Sequence, residues 1–108
     1  MSYKSFMPLV AVAVLFATPA LATPGDAKVT IGNFTFGPMA VTVPAGATVT
    51  WVNEDDVPHT VRAIDGAFHS KALDTDESFS FTFNTPGVYS YFCSLHPKMT
   101  AKVIVRRP

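Results

Sequence analysis

The segment Cys93-Ser94-Leu95-His96-Pro97-Lys98-Met99 sets out a thiol, an imidazole and a thioether at successive intervals of three residues. All three donors are soft or borderline, a set that suits copper and not calcium or magnesium, which take oxygen ligands. A loop of this length can fold around one ion and turn all three donors inward. A fourth donor is found upstream in Val57-Pro58-His59-Thr60, at the entry to a predicted strand that can lie beside the one ending at Cys93. Two imidazoles and a thiolate with a weak axial thioether define a blue-copper electron-transfer site. Zinc more often takes a second Cys or a carboxylate in place of the Met. Singly, each residue has a plainer reading: His59 as a hydrogen-bonded strand-end histidine, Met99 as core, Cys93 as a small buried hydrophobe. Their joint occurrence is what points to one type 1 copper ion held by His59, Cys93, His96 and Met99. His69, beside Ser70 and Lys71, reads as a solvated side chain.

The elements that must position these donors read as strands. Short runs rich in Val, Ile, Thr and aromatics cover residues 28–34, 39–43, 48–53, 60–63, 78–83, 88–93 and 101–105, broken at Gly37-Pro38, Pro44-Ala45-Gly46 and Pro86-Gly87. Phe79, Phe81 and Phe83 alternate with Ser80 and Thr82, the signature of a half-buried strand. No stretch keeps a helical period over three turns. The spacing predicts an all-β, two-sheet antiparallel sandwich with Trp51 and Tyr89 between the sheets. Residues 65–77 break the pattern and read as a long connection or one short helical turn.

The chain has 108 residues, eight Lys and Arg against eight Asp and Glu, and one Cys. Lys4, an apolar run from Pro8 to Phe16 and Ala20-Leu21-Ala22 have the form of a signal peptide, expected over 1–22 with cleavage after Ala22. The run is shorter than the roughly 20 residues of a membrane span, so no stable membrane insertion is expected after cleavage. Residues 23–108 then form one domain, large enough for a single core. Its nearly balanced charge gives no reason to expect nucleic acid. In the oxidising compartment that export implies, a lone thiol is a liability unless a metal holds it.

Trp51-Val52-Asn53, Pro58-His59, the run from Gly87 through Cys93 and the loop to Met99 together resemble the cupredoxins, most closely the amicyanins and then the plastocyanins. The resemblance spans residues 23–108 and implies a Greek-key fold, a periplasmic location and a monomeric one-electron carrier that is not an enzyme. It implies electron exit at the edge of His96 through an apolar docking patch of Leu95, His96, Pro97 and Met39, with Pro58 nearby. Implied partners are redox proteins: an amine dehydrogenase, a c-type cytochrome or a copper reductase. Around the ligands the residues of interest are Pro58, Thr60, Ser94 and Leu95. The relatives carry Asn after the upstream histidine, where it ties the ligand loops; here the shorter Thr60 has to reach Ser94. They carry Pro before the loop histidine; here Leu95 offers an N–H close to the Cys93 sulfur, beside the one expected from Thr60. The rival reading is a periplasmic copper chaperone or storage protein. Such proteins are usually rich in Met or His, and beyond residue 22 only Met39 and Met99 remain. Three histidines in all are too few for a second, catalytic copper centre.

Overall fold

Alternation along β4 (Ala47–Asn53) is the clearest local cause of the fold: Ala47, Val49, Trp51 and Asn53 are buried and the residues between them are not. A period of two puts these four side chains on one face of the sheet. β4 runs parallel to β1 (Ala27–Gly32) and antiparallel to β6 (Ser78–Phe83), and β2 (Thr35–Gly37) completes a sheet of order β2-β1-β4-β6. The second sheet has the order β3-β8-β7-β5, from Ala40–Pro44, His96–Arg106, Gly87–Cys93 and Arg62–Ala63. The expected two-sheet all-β sandwich therefore forms. Each sheet is mixed, because β1 and β4 run parallel, as do β3 and β8. This computed structural model describes residues 25–108, and the signal segment expected over 1–22 lies outside the described residues.

The core is aromatic at its centre. Trp51 stacks on Phe68 at 5.6 Å between ring centroids and meets Tyr91 edge-on at 5.4 Å, and Phe36 meets Tyr91 from the other side at 4.8 Å. Trp51 lies between the sheets as expected, but the tyrosine fully buried beside it is Tyr91, not Tyr89. Both sit on the inward face of β7. Tyr89 lies nearer the end of the sandwich, only partly buried, and its hydroxyl reaches out to the Thr85 carbonyl at 2.6 Å.

Three local expectations are modified. The strand predicted over 28–34 ends at Gly32, and Asn33 and Phe34, with φ of 52° and 58°, make a two-residue turn into β2. Two positive φ values are the signature of a type I′ hairpin. Phe34 stands where glycine is usual, so the turn carries no sequence signal. The strand predicted over 60–63 contracts to Arg62–Ala63. Residues 65–77 form no helix; they fold back along 59–63, with Ser70 N–H donating to the Val61 carbonyl at 2.8 Å and Leu73 N–H to that of His59 at 2.7 Å. Phe68 and Leu73 thereby enter the core.

Tyr91 yields a test of this core. Its hydroxyl and the Trp51 indole N–H are both buried, and neither has a hydrogen-bond partner among the described residues. Burial pushes the Tyr91 phenol up to about 12, against a smaller opposing influence of the indole. The ionised form is thus disfavoured in the folded state. The resulting stabilisation is complete below pH 10 and is lost as pH rises toward 12. Tyr91→Phe is expected to keep or gain about 1 kcal/mol at pH 7, since it removes a buried group without a partner. It should also lose less stability than the parent between pH 10 and 12. Urea denaturation at neutral and alkaline pH checks both.

Candidate metal centre

Cys93 closes β7 on the same inward face as Tyr91, which leaves its sulfur fully buried at the end of the sandwich. Beyond it Ser94 and Leu95 make a turn, and β8 begins at His96. The two strands pair in regular register from Gly87↔Val105 to Phe92↔Thr100, and then Cys93 faces His96. Residues 97–99 are therefore extra on β8, and a bulge of this kind bends a strand and re-aims its side chains. The segment expected as a loop is in this sense a bulged strand start. It leaves His96 half-buried and Met99 at 6% exposure.

His59 arrives from the other side. Asn53, wholly buried at the end of β4, donates from Nδ2 to the carbonyls of Val57 and Leu73 at 2.9 and 2.8 Å and accepts Asp55 N–H at Oδ1 at 2.9 Å. These bonds peg the turn that carries Pro58 and His59. His59 and Leu73 then exchange backbone hydrogen bonds of 3.1 and 2.7 Å, so the histidine is fixed both before and after its own position.

The result is a convergence of donors. Nδ1 of His59 lies 3.7 Å and Nδ1 of His96 lies 3.6 Å from Cys93 Sγ. One donor atom of each residue falls within 4.8 Å of the others, and this is the metal-capable cluster among the described residues. Metal–nitrogen and metal–sulfur bonds of about 2.0 and 2.3 Å at 120° put N and S about 3.7 Å apart, so one ion in a trigonal arrangement fits. The donor set, two imidazoles and a thiol, is that of a copper site. Met99 reaches the same end of the sandwich, lining a small cavity with Phe34, Phe36 and Met39. His69 is exposed and lies apart, bridged to Arg62.

Thr60 does what its length left in question. Its Oγ1 accepts Ser94 N–H at 2.7 Å and lies 2.7 Å from Ser94 Oγ, so the segments that carry His59 and Cys93 are tied directly. Its N–H donates to Cys93 Sγ at 3.3 Å, and its hydroxyl lies 3.8 Å from the same atom. The expected second backbone donor does not form: among the described residues Leu95 N–H makes no hydrogen bond to Sγ. Leu95 lies in the two-residue turn that joins β7 to β8, and the Thr60 N–H is the backbone donor on the sulfur.

Two residues at the centre were not singled out from the sequence. Asp55 Oδ2 lies 2.9 Å from His59 Nε2, on the side of the ring away from Cys93, and also accepts Phe34 N–H at 3.0 Å. The Phe34 N–H, and next His59, hold the Asp55 carboxyl below its usual range. The Phe34 ring lies edge-on to His96 at 4.9 Å and to His59 at 5.5 Å, with about half of the residue exposed. It joins Leu95, His96, Pro97, Lys98 and Met99 around a shallow hollow, while Met39 borders the adjoining cavity. No sequence pattern marks either residue: the Phe34 ring meets histidines far along the chain, and Asp55, only four residues before His59, lies in a turn with no period of its own.

The Thr60 tie is open to a direct check. Thr60→Val keeps the backbone N–H to the sulfur and removes the bonds to Ser94. Because water can reach the exposed Ser94, the expected loss is about 1 kcal/mol in urea denaturation of the metal-free chain.

Comparison with known proteins agrees with this geometry. The Cupredoxin-like domain family matches residues 5–105. Amicyanin of Paracoccus versutus is 44% identical over 70 residues, covering 60% of this chain and 53% of that protein, so the chain spans about half the length of that relative. Amicyanin-alpha of Methylorubrum extorquens is 35% identical over 86 residues, covering 75% of this chain and 72% of that protein. Plastocyanins are similar as well. Among solved structures, the Cu(I) form of an amicyanin variant superposes with a TM-score of 0.72 at 30% identity, covering 79% of this chain and 86% of that one. Sheet order, buried donors and sequence matches lead to one conclusion: the chain belongs to the cupredoxin-like family.

Proposed function

We propose that this chain is a type 1 blue-copper one-electron carrier in which His59, Cys93, His96 and Met99 hold a single copper ion. The observation that carries the reading is the approach of two imidazole Nδ1 atoms to within 3.7 and 3.6 Å of one buried thiol. Bound copper supplies reversible one-electron exchange between Cu(I) and Cu(II). The chain's own residues supply the rest. His59 and Cys93, both fully buried, keep water away from the ion, and the Thr60–Ser94 tie keeps the ligand segments from separating. A frame held in this way needs little rearrangement when the charge at its centre changes. The Thr60 N–H on the sulfur favours the state with more negative charge on that atom, and so favours Cu(I).

His96 is the ligand nearest solvent, and the apolar groups around it, Leu95, Pro97, Met39 and Phe34, form the docking patch in this reading. A small patch with few charges suits brief contact, as a carrier that must leave its partner requires. The partner is a redox protein, with an amine dehydrogenase, a c-type cytochrome or a copper reductase as candidates. The chain is exported to the periplasm by a signal peptide over 1–22, and residues 23–108 work there as a monomeric carrier and not as an enzyme. Storage or delivery of copper is less well supported, because donors this buried would release an ion slowly.

Two substitutions test the assignment. Cys93→Ser is expected to abolish the intense blue absorption of the oxidised, copper-loaded protein while the β-sheet circular dichroism persists. A Cys93→Ser protein that stayed blue would overturn the ligand set. Met99→Leu is expected to remain coloured, because its thioether would be the weakest of the four donors. Its reduction potential should rise, since loss of a thioether donor costs the more highly charged Cu(II) state more than Cu(I). Visible spectra and voltammetry at neutral pH read both.

A further inference from the structure

The buried face of His59 is aimed at Cys93, and the opposite ring nitrogen meets a carboxylate. Resting on the copper reading above, we infer that Asp55 is a positioning residue. Through its Oδ2 it sets which nitrogen of His59 is free for the metal, biases the site toward Cu(II), and pins Phe34 over both imidazoles.

A histidine can bind a metal only through a nitrogen that carries no proton. A buried imidazole needs a partner for the nitrogen that does carry one. His59 is fully buried and so has no recourse to water. Asp55 Oδ2 lies 2.9 Å from Nε2, and an ionised carboxylate only accepts. The proton must therefore sit on Nε2, which leaves the lone pair on Nδ1, the atom 3.7 Å from Cys93 Sγ. With the proton on Nδ1, a lone pair would face the carboxylate inside the protein.

The carboxylate is itself well held. Its Oδ1 accepts Asp56 N–H at 3.0 Å, its backbone N–H donates to Asn53 Oδ1 at 2.9 Å, and its carbonyl accepts the Thr75 hydroxyl at 2.6 Å. The side chain is 11% exposed, so its charge is only partly screened. A negative charge hydrogen-bonded to a ligand ring makes the metal-facing nitrogen more electron-rich, which favours Cu(II) over Cu(I).

The same oxygen reaches a third element. Phe34 has a φ of 58°, a left-handed conformation that is uncommon and strained for a bulky side chain. Its N–H donates to Asp55 Oδ2 at 3.0 Å. That bond, together with the reversed hairpin, lays the aromatic edge against His59 and His96. One carboxylate oxygen thus joins the buried ligand to the ring that covers its more exposed fellow.

The test uses the copper-loaded protein with Asp55→Asn, Asp55→Glu and, as a charge control, Glu54→Gln, since Glu54 is exposed and contacts Lys28 across 3.9 Å. Asp55→Asn can still accept from Nε2 but carries no charge. It should stay blue and shift the preference of the site toward Cu(I) by about tenfold, an upward move in potential of about 59 mV. Asp55→Glu, which retains the charge, should stay close to the parent, and so should Glu54→Gln. In the metal-free protein, ¹⁵N NMR should find the His59 proton on Nε2, and Asp55→Ala should lose that preference. Equal potentials in the parent and Asp55→Asn would overturn the bias. A His59 proton on Nδ1 in the parent would overturn the positioning role, and it can be read even if Asp55→Asn fails to fold. A parent that never turns blue with Cu(II) would instead overturn the carrier reading, and the NMR result would still decide the role of Asp55.

Discussion

A thiol and two imidazoles can share one ion only if the fold brings their donor atoms within a few ångströms of each other. In this chain that requirement falls on the meeting of the turn before β5 with the end of β7. His59 is brought to within 3.7 Å of a sulfur that belongs to a residue far along the sequence. Bringing such distant residues together costs loop-closure entropy, which other contacts must offset. The offset is visible in the bonds around His59: the Asn53 side chain before it, the paired backbone of Leu73 beside it, and Thr60 after it. Thr60 is the most economical of these, since its N–H meets the sulfur and its hydroxyl meets the neighbour of the sulfur.

The sandwich supplies rigidity for this meeting. Trp51, Phe36, Phe68 and Tyr91 fill the space between the sheets, and Cys93 follows Tyr91 on the same inward face. A residue so placed is held inward by the same packing that buries Tyr91. The bulge at residues 97–99 complements this arrangement. It lets β8 stay paired with β7 while still offering His96 and Met99 to the same end of the molecule. Burial and exposure are thereby divided among the donors, with His59 and Cys93 closed off and His96 left at the edge.

Much of this was legible in the residues. The interval of three between Cys93, His96 and Met99 is a local fact, and donor softness alone was enough to favour copper. Val, Thr and aromatic alternation marked most of the strands, and the phenylalanines of β6 and the buried Trp51 fell where the pattern placed them. Less legible were features whose cause lies across space. Tyr89 and Tyr91 share one parity along β7, and only the closing of the second sheet decides which lies deeper. Phe68 and Leu73 belong to a segment with no period of its own, and it is ordered by pairing with residues 59–63. The Asn33–Phe34 turn lacks the glycine that usually marks such hairpins.

The sequence by itself determined the chemistry: which donors are present, that three of them share one short segment, and that strands must carry them. It could do so because side-chain identity and short spacings are written directly in the chain. Tertiary structure alone decided which groups surround the donors. That Asp55 meets the far nitrogen of His59, that the Phe34 ring lies against both imidazoles, and that Thr60 reaches Ser94 are all matters of contact across a few ångströms. Apart from Asp55, four residues before His59, these contacts join residues remote in sequence, and they take their values only when the two sheets close on one another.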